Sequence, residues 1–528
     1  MSTKVQLPPA ARTAVTSARP VTRRLLEAAS LVLVCLLPVL VFSLFWNTPF
    51  ERDEGVYATV AQGLLDGRVP YRDLFDNKPP LVYGWYAFSF LLFGETVSAP
   101  RIVAAVLLSF TALAVYVQAR MLLTRALAYM AAGIFAVSTG LPFVALHANT
   151  EAYMLLPLVT SVAAFTVGMT SGSLRWFALA GLLGALAIET KQVAMWNLIA
   201  LAGVALYWRW RSGAAGWDRV TPLSALAAGS LAGIAIIAVP FFAMGALDDL
   251  VYANISYNWL YVGFLTWGDR LMSLSEGTAY VALAAAPLIG GALLGLVTVL
   301  RRSKRTVDYL IIGWAAASAI GVASGGRFFP HYFLHLVPAM ALLAGVVIYD
   351  RLPRGDHRWG TRPAIAFGVL LVVISLTTNA VLYIAPKPAE QRVAETVFVQ
   401  KQWEEASKEI GLYIQERTSP DETIFNFGRE PQLYFYADRR PAAQFFYDWA
   451  YQYDETTLEQ TVEVLRLQRP AYIIDSVQPP LFPPGPRPEA LTQLLEADYE
   501  YVGSLYFVDL YRVKKDSEWP SELQPLVP

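Results

Sequence analysis

Long apolar runs separated by short polar segments make up most of the chain. A helix needs about 20 apolar residues to cross a hydrocarbon core roughly 30 Å thick, and several runs reach that length. The first run, residues 25–46, follows Arg23 and Arg24 and lacks a small-residue cleavage motif, which predicts a retained helix rather than a cleaved signal peptide. Further spans are predicted at residues 98–119, 126–146, 152–170, 175–190, 193–209, 221–244, 279–300, 307–324, 332–350 and 362–385.

The run at residues 81–93 is short and aromatic, so its length leaves open whether it crosses the membrane or lies along the surface. Basic loops decide this, because Lys and Arg accumulate on the cytoplasmic side. If 81–93 does not cross, the side that carries Arg23 and Arg24 also carries Arg120, Arg125, Arg175, Arg209, Arg211, Arg219, Arg301, Arg302, Lys304, Arg305, Arg351, Arg354, Arg358 and Arg362. We therefore predict about eleven spans in the plasma (inner) membrane, a cytoplasmic N-terminus and an interfacial helix at 81–93.

This topology predicts an α-helical polytopic membrane protein with a C-terminal α/β domain. Residues 1–22 are expected to form a disordered cytoplasmic arm, and residues 23–386 a transmembrane domain whose first outer loop is 47–97. Residues 387–528 change in character and predict an extracytoplasmic α/β domain, accessory in role because no convergent polar site is visible in it. Its expected elements are a helix at 391–417, strands at 422–427 and 470–475, a strand or hairpin within 500–513, and a proline-rich loop at 478–488.

Composition agrees with a membrane protein. Of 528 residues, 55% are hydrophobic and 16% are charged, whereas soluble domains carry about 25% charged residues. The formal net charge of −1 argues against a nucleic-acid partner. The single cysteine, Cys35, lies inside the first apolar run, which excludes a disulfide within one chain and is typical of a buried apolar filler.

Candidate chemistry begins with two adjacent carboxylates, Asp53 and Glu54, a few residues beyond the first predicted span. Neighbouring residues on a helix do not share a face, so the two acids are expected to have different partners. Near an apolar membrane surface, desolvation raises the pKa of a carboxylate while a neighbouring cation lowers it, and such tuning could make Asp53 a base that accepts the proton of a hydroxyl group. The alternative interpretation is a pair of solvated loop acids.

Further ionisable residues converge on the predicted outer face. Glu151 lies in a turn with His147 and Asn149, and a carboxylate flanked by apolar spans is a functional candidate. Basic side chains on this face suit a phosphate group, although each could instead be a snorkelling anchor, and Lys191 could form a local pair with Glu189. The basic set is Arg52, Arg72, Lys78, Lys191, Arg270 and Arg327, with His331 and His335 beside the last.

Metal and sugar contacts are less well indicated. His331 and His335 are four residues apart and so are expected on one helical face, but no third ligand lies at metal spacing. We therefore predict no metal site and no cofactor, with a divalent metal left open. The side chains of Tyr57, Tyr71 and Trp85 could stack on a sugar or anchor at the membrane interface, and we favour anchoring.

Several short motifs, taken in chain order, together resemble those of a known protein family. They are Asp53-Glu54, the Asn-Lys-Pro-Pro-Leu box from Asn77, Trp85, the Leu-Phe-Gly that ends at Gly94, Arg101, the acidic turn at Glu151, Thr190-Lys191, and the His-Tyr-Phe-Leu-His-Leu-Val-Pro segment from His331. Over roughly residues 20–385 the chain resembles the GT-C membrane glycosyltransferases, in the branch that groups protein O-mannosyltransferases with bacterial aminoarabinose transferases of lipid A. The resemblance implies a GT-C fold.

The same resemblance implies transfer of a sugar from a polyprenyl-phosphate carrier to a lipid, glycan or protein acceptor on the outer membrane face, with inversion at the anomeric carbon. It implies that Asp53 is the catalytic base, Glu54 its partner and Glu151 the second acid. Glu151 departs from the pattern, since many relatives carry Asp there. The donor phosphate is expected to bind Lys78 and Lys191, with Arg72, Arg327 and His331 as further candidates.

Two other functions compete with transfer. A transporter or flippase could use Glu189 and Lys191 as ligands near the membrane midplane, but transporters usually show repeated halves, and the sequence has no convincing internal repeat. A polytopic assembly factor whose outer domain binds partners is the third hypothesis. The large tail and the one-sided cluster of charges favour the enzyme.

Overall fold

The computed structural model describes residues 21–140, 147–302, 305–351, 392–451, 455–475, 488–506 and 508–514. Most of the predicted arm, the predicted span at 362–385, the domain boundary at 386–387 and most of the proline-rich loop lie outside these residues. The described chain divides into two compact units. The helical unit contains residues 1–48, 78–247 and 261–391, and the α/β unit contains residues 49–77, 248–260 and 392–528.

Apolar helices make up the helical unit. In chain order they are α1 (Val21–Ser43), α3 (Leu81–Phe93), α4 (Ser98–Leu122), α5 (Arg125–Ser138), α6 (Thr150–Ser171), α7 (Leu174–Ile188), α8 (Met195–Arg211), α9 (Thr221–Ala243), α12 (Trp267–Arg301), α13 (Thr306–Ser324) and α14 (Val337–Arg351). Helix α2 (Arg52–Leu65) belongs to the α/β unit, and the residues of α10 (Leu247–Val251) and of α11 (Tyr257–Gly263) are divided between the two units.

Several of these helices can span a membrane. Among the described residues, five helices are long and apolar enough to cross: Ser98–Leu122, Thr150–Ser171, Thr221–Ala243, Thr306–Ser324 and Pro330–Asp350. Shorter apolar helices are Glu27–Ser43, Leu81–Phe93, Arg125–Ser138, Leu174–Ile188 and Ala285–Arg301. The chain is therefore a multi-pass membrane protein, and helices are confirmed where the hydrophobic pattern predicts spans within the described residues.

Helix α3 coincides with the predicted interfacial segment. Its 13 residues extend about 20 Å at roughly 1.5 Å per residue, which is short of a hydrocarbon core roughly 30 Å thick. Tyr83 and Tyr86 are fully buried, whereas Leu91 is 73% exposed. The helix itself is confirmed, and its position along the membrane surface stays a prediction.

Two predicted spans differ in detail from the observed helices. The span expected at 279–300 is part of a 35-residue helix that begins at Trp267 and contains a non-helical residue, Ala285, two positions before Pro287. Proline cannot donate the backbone hydrogen bond of a helix interior, which accounts for the kink. The span expected at 332–350 begins with a 3-10 helix over Pro330–Leu336 and becomes α-helical from Val337.

Helices α7 and α9 pack closely through glycine. A Cβ atom added to Gly229 would lie 1.8 Å from the carbonyl oxygen of Ala178, and one added to Gly181 would lie 1.9 Å from that of Leu226. Gly229→Ala is therefore expected to push the helices apart and destabilise the fold by about 1–3 kcal/mol, measured as a lower melting temperature in detergent. The control is Gly203→Ala, where an added Cβ meets no atom within 4 Å. Equal melting temperatures for the two variants would contradict this packing.

The α/β unit is built on a five-stranded sheet with the order β2-β1-β3-β5-β4. Strands β1 (Thr423–Phe427), β2 (Arg440–Pro441) and β3 (Tyr472–Asp475) are parallel, and β5 (Val508–Val513) is antiparallel to β3 and to β4 (Tyr499–Leu505). Its C-terminal helices are α15 (Arg392–Gln415), α16 (Gln432–Ala437), α17 (Asp448–Tyr451), α18 (Glu455–Gln468) and α19 (Glu489–Asp498). The helix, strands and hairpin that the pattern of the tail predicts are confirmed.

Residues 49–77 belong to the same unit as this sheet. The phenol of Tyr447 donates to Asp76 at 2.7 Å, and the side-chain amide of Gln444 donates to the carbonyl of Tyr71 at 2.7 Å. Burial, and then the nearby Asp76 carboxylate, raises the pKa of Tyr447 well above its ordinary value, so the phenol keeps its proton as a donor. Much of the opening loop is thus fixed by the C-terminal part of the chain.

Candidate active site

The candidate base lies in the first turn of α2. Asp53 is half-buried and makes no hydrogen bond or ion pair with any residue that the structure describes. Backbone N–H groups at a helix N-terminus, together with the helix dipole, favour a negative charge at this position. The carboxylate therefore keeps its lone pairs for a group from outside this part of the chain.

Glu54 has a different environment, as the sequence predicts for adjacent acids. Its side chain is fully buried, and its Oε2 accepts a hydrogen bond from the backbone N–H of Glu51 at 3.2 Å. This contact caps the start of α2 and so orients the turn that carries Asp53. The catalytic role expected for Glu54 stays a prediction, and its observed role is to hold the helix N-terminus.

Other predicted residues of the opening loop are paired or buried within the α/β unit. Arg72 is 44% exposed and pairs with Asp73, with 3.2 Å between Nε and Oδ1. Tyr57 and Tyr71 are each 1% exposed, so the interfacial anchoring expected for these two rings is wrong. Their hydrophobic surface fills the protein interior instead of the membrane boundary.

A second site lies in the helical unit, where Glu151 and Lys191 form a buried ion pair. The carboxylate is in the first turn of α6, and its Oε1 accepts from the Lys191 ammonium. The two side chains are 2% and 7% exposed. Thr150 Oγ1 donates to the other carboxylate oxygen at 3.1 Å. The structure therefore joins two sequence-predicted residues and rejects the alternative in which Lys191 pairs with Glu189.

Tyr332 completes this pair and was missed by the sequence argument. The Lys191 ammonium lies 3.8 Å from the centre of the Tyr332 ring, a cation–π contact. A cavity of about 10 Å³ opens beside the pair, close to what one water molecule needs. Its lining consists of Glu151, Lys191, Val193, Gly321, Val322, Tyr332 and His335. The pair thus borders space that a small polar group can enter.

His335 lies in a buried polar network that the sequence does not reveal. Its Nε2 is 2.8 Å from Asn197 Nδ2, and Ser318 Oγ donates to Asn197 Oδ1 at 3.1 Å. This arrangement makes Nε2 an acceptor and leaves the proton on Nδ1, which has no partner among the described atoms. The sequence does contain one indication of this network, because Asn197 and Ser318 are polar residues inside predicted apolar spans.

The two histidines do not share a helical face, which corrects the sequence argument. Residues 330–336 form a 3-10 helix, where positions three rather than four apart align. His331 is half-exposed and its ring lies parallel to that of Phe329, whereas His335 is 1% exposed. Among the described residues, no group of three His, Cys, Asp or Glu side chains could hold a metal ion.

Arg327 is also buried, at 7% exposure, and its guanidinium lies 4.2 Å from the centre of the Tyr261 ring. Lys78 is half-buried at the start of the segment that leads into α3.

The backbone N–H of Leu81 donates to the carbonyl of Glu189 at 2.9 Å, and Tyr86 donates to the carbonyl of Ala148 at 2.9 Å. Helix α3 thus links the turns that carry Lys191 and Glu151, and Trp85 stacks on Tyr153 of α6 with ring centres 6.1 Å apart.

Arg101 of α4 is fully buried and binds the chain just before the α/β unit begins. Its Nη1 donates to the carbonyls of Phe45 at 3.1 Å and Thr48 at 2.5 Å, and to the Thr48 hydroxyl at 2.8 Å.

Arg101→Met is expected to destabilise the protein by about 2–4 kcal/mol, because these buried acceptors lose a charged donor. Arg120→Met is the matched control, since Arg120 caps only the end of the same helix at Leu123. Denaturation midpoints that fall equally would contradict the argument.

Comparison with known proteins identifies the fold. The family model described as dolichyl-phosphate-mannose-protein mannosyltransferase matches residues 77–248, which include Lys78, Glu151 and Lys191. A comparison with curated protein sequences finds no match.

Solved structures resemble almost the whole chain. ArnT from Cupriavidus metallidurans bound to undecaprenyl phosphate is 16% identical with a TM-score of 0.58, covering 93% of this chain and 98% of that one. The archaeal oligosaccharyltransferase AglB from Archaeoglobus fulgidus, in complex with an inhibitory peptide and a dolichol-phosphate, is 13% identical with a TM-score of 0.50, covering 86% and 70%. The chain has the fold of the GT-C membrane glycosyltransferases, which confirms the fold implied by its motifs.

Proposed function

We propose that the protein is a glycosyltransferase that moves a sugar from a polyprenyl-phosphate carrier to an acceptor on the outer face of the membrane. The observation that carries the proposal is the agreement of fold with ArnT over nearly the full length of both chains, in a structure of ArnT that contains undecaprenyl phosphate. The dolichol-phosphate in the AglB complex and the family match to residues 77–248 support the same class of donor.

Asp53 acts as the general base in this proposal. It takes the proton of the acceptor hydroxyl as that oxygen attacks the anomeric carbon from the side opposite the phosphate. The bond between the anomeric carbon and the phosphate oxygen breaks, and its electron pair stays on the departing polyprenyl phosphate. The product therefore has the inverted anomeric configuration. The half-buried carboxylate at the N-terminus of α2, which makes no hydrogen bond or ion pair with the described residues, supports this assignment.

Lys191 supplies positive charge for the phosphate. A buried ammonium stabilises the negative charge that develops on a leaving phosphate far better than a solvated one does. Glu151 and Tyr332 hold the ammonium in place, which supports a positioned rather than a mobile cation. Lys78, Arg72, Arg327 and His331 remain further candidates for the phosphate, and Glu54 and Glu151 for the catalytic acids.

The proposed orientation follows from the basic loops. The N-terminus lies in the cytoplasm of a cell whose plasma (inner) membrane holds the protein, and the C-terminal α/β domain lies outside. A lipid-linked donor suits such a site, because polyprenyl carriers deliver sugars in the membrane and no nucleotide is required at the outer face.

The test uses purified protein in liposomes with radiolabelled undecaprenyl-phosphate hexoses and pentoses and an extract of cell-envelope acceptors. We expect the label to leave the carrier and appear in an acceptor that is no longer extracted with the donor. Movement of intact labelled lipid from one leaflet to the other, without release of the sugar, would contradict the proposal and favour the flippase.

A further inference from the structure

A polar cluster within the α/β unit surrounds Arg52, the residue that precedes the candidate base. Its members come from the segment that follows strand β1 and from the start of α17. Arg52 Nη2 lies 3.4 Å from Glu430 Oε1. The carboxylate of Asp448 also acts on Arg52 electrostatically, as does that of Asp53. Glu51 contributes as well, so four carboxylates act on one guanidinium, and one of them is the proposed base.

Glu430 is itself fixed. It is 8% exposed, and its second oxygen accepts from Gln432 Nε2 at 2.5 Å and from Ser407 Oγ at 3.4 Å. Ser407 belongs to α15, so Glu430 is held by a second element of the C-terminal region. A carboxylate with both oxygens engaged presents a defined acceptor to Arg52, rather than a mobile surface charge.

Asp448 is the second anchor. It accepts from Arg429 Nε at 2.6 Å, and its backbone N–H donates to the carbonyl of Gly428 at 2.9 Å. Burial raises the pKa of the Asp448 carboxyl above its ordinary value, and the positive charges of Arg429 and Arg52 oppose that rise. These residues all lie near the carboxyl end of β1, the edge where open α/β sheets place their binding groups.

Steric contact fixes the same turn from the other side. A Cβ atom added to Gly55 would lie 2.5 Å from the backbone nitrogen of Gln432, so α2 and the start of α16 touch backbone to backbone. One residue before α2's N-cap, the N–H of Phe50 donates to the Tyr436 hydroxyl at 2.7 Å, and the rings of Phe50 and Phe435 meet edge to face at 4.8 Å. The turn that carries Asp53 therefore has contacts with the C-terminal region both before and after it.

We propose that Arg52 is a positioning residue for Asp53 and that the C-terminal α/β region, through Glu430 and Asp448, sets the place of the catalytic base. This inference rests on the proposed function. It assigns the tail a direct part in catalysis in place of the accessory role expected from its sequence. A displacement of a catalytic group by about 1 Å can lower a reaction rate about 100-fold. Loss of the contacts of Arg52 with Glu430 and Asp448 should therefore lower turnover more than donor binding.

The test compares steady-state sugar transfer by full-length variants, normalised to folded protein. Arg52→Gln is expected to lower kcat about 10–100-fold with the donor KM within about 2-fold of the unmodified protein. Arg52→Lys keeps the charge and should recover part of the loss. The control is Arg512→Gln, which removes an exposed pair with Glu500 in the same unit and should leave kcat unchanged.

A double-mutant cycle identifies the partner. If Arg52 acts through Glu430, the variant that combines Arg52→Gln with Glu430→Gln should be no slower than Arg52→Gln alone. Multiplicative losses, or a kcat for Arg52→Gln within 2-fold of the unmodified protein, would overturn the inference. If the unmodified protein transfers no sugar, the proposed function fails; if Asp53→Asn is inactive while Arg52→Gln is fully active, only the positioning role fails.

Discussion

Asp53→Asn is expected to reduce sugar transfer at least about 1,000-fold while the protein stays folded and keeps its affinity for the donor. The amide is nearly isosteric with the carboxylate but cannot accept a proton, so the loss falls on the chemical step. Because Asp53 makes no hydrogen bond or ion pair with the described residues, the substitution removes little that stabilises the fold. The measurement is single-turnover transfer from a labelled donor, with the melting temperature recorded on the same sample.

Asp66→Asn is the matched control for this variant. Asp66 is the exposed C-cap residue of the same helix, so the substitution changes the same chemical group at the other end of α2. It should leave transfer within about 2-fold of the unmodified protein. Full activity of Asp53→Asn would remove Asp53 as the base, whatever the control shows.

Lys191→Met is expected to lower transfer about 100-fold or more and also to destabilise the protein. The substitution removes the positive charge proposed for the leaving phosphate, and it leaves the Glu151 carboxylate buried without its cation. Breaking a buried pair in this way typically costs about 3–5 kcal/mol, so a loss of activity alone would not separate catalysis from folding. Transfer and the denaturation midpoint are therefore measured together.

The combination of Lys191→Met with Glu151→Gln separates the two effects. Removing both charges should restore more than half of the lost stability, since no uncompensated charge remains, but transfer should stay low. Arg302→Met combined with Asp308→Asn removes a buried ion pair from a network with Arg305 and Asp350 elsewhere in the helical unit, with side chains 18% and 0% exposed, and should leave activity per folded molecule unchanged. Recovery of transfer in the Lys191–Glu151 double variant would show that the pair is only structural.

The fold was largely predictable because membrane helices and buried strands obey simple periodicities. The pattern of apolar runs predicts helices close to those observed, including α3, and the tail pattern predicts β1, β3 and the β4–β5 hairpin. The misplaced details come from local backbone effects. Neither the kink at Ala285 nor the 3-10 helix over Pro330–Leu336 is visible in a hydrophobicity pattern. The expectation that His331 and His335 share one face assumed an α-helix, and it fails because this segment is a 3-10 helix.

The candidate site was predictable in part. Glu151 and Lys191 were both selected from their positions at the ends of apolar runs, and the structure brings them together because the turns before α6 and after α7 meet. Tyr332 and Asn197 were missed because a tyrosine or asparagine in an apolar helix has many structural roles. The contacts of Arg52 with Glu430 could not be predicted, since 378 positions separate the two residues and neither belongs to a recognisable motif.

Both candidate acids lie in the first turn of a helix, Asp53 in α2 and Glu151 in α6. Backbone N–H groups of the first helical turn lie near both carboxylates, but the surroundings of the two differ. Glu151 is paired with a cation, whereas Asp53 makes no hydrogen bond or ion pair with the described residues. This difference supports separate roles, with Glu151 fixing Lys191 and Asp53 exchanging a proton with the acceptor.

The most direct test of the central claim follows the carrier lipid rather than the sugar. Protein in liposomes is incubated with an undecaprenyl-phosphate sugar and envelope acceptors, and the lipid extract is analysed by mass spectrometry. We predict that bare undecaprenyl phosphate appears in equal number to glycosylated acceptor, and that neither forms with Asp53→Asn. Recovery of the intact undecaprenyl-phosphate sugar from the opposite leaflet, with no bare carrier formed, would contradict transfer and identify the protein as a lipid transporter.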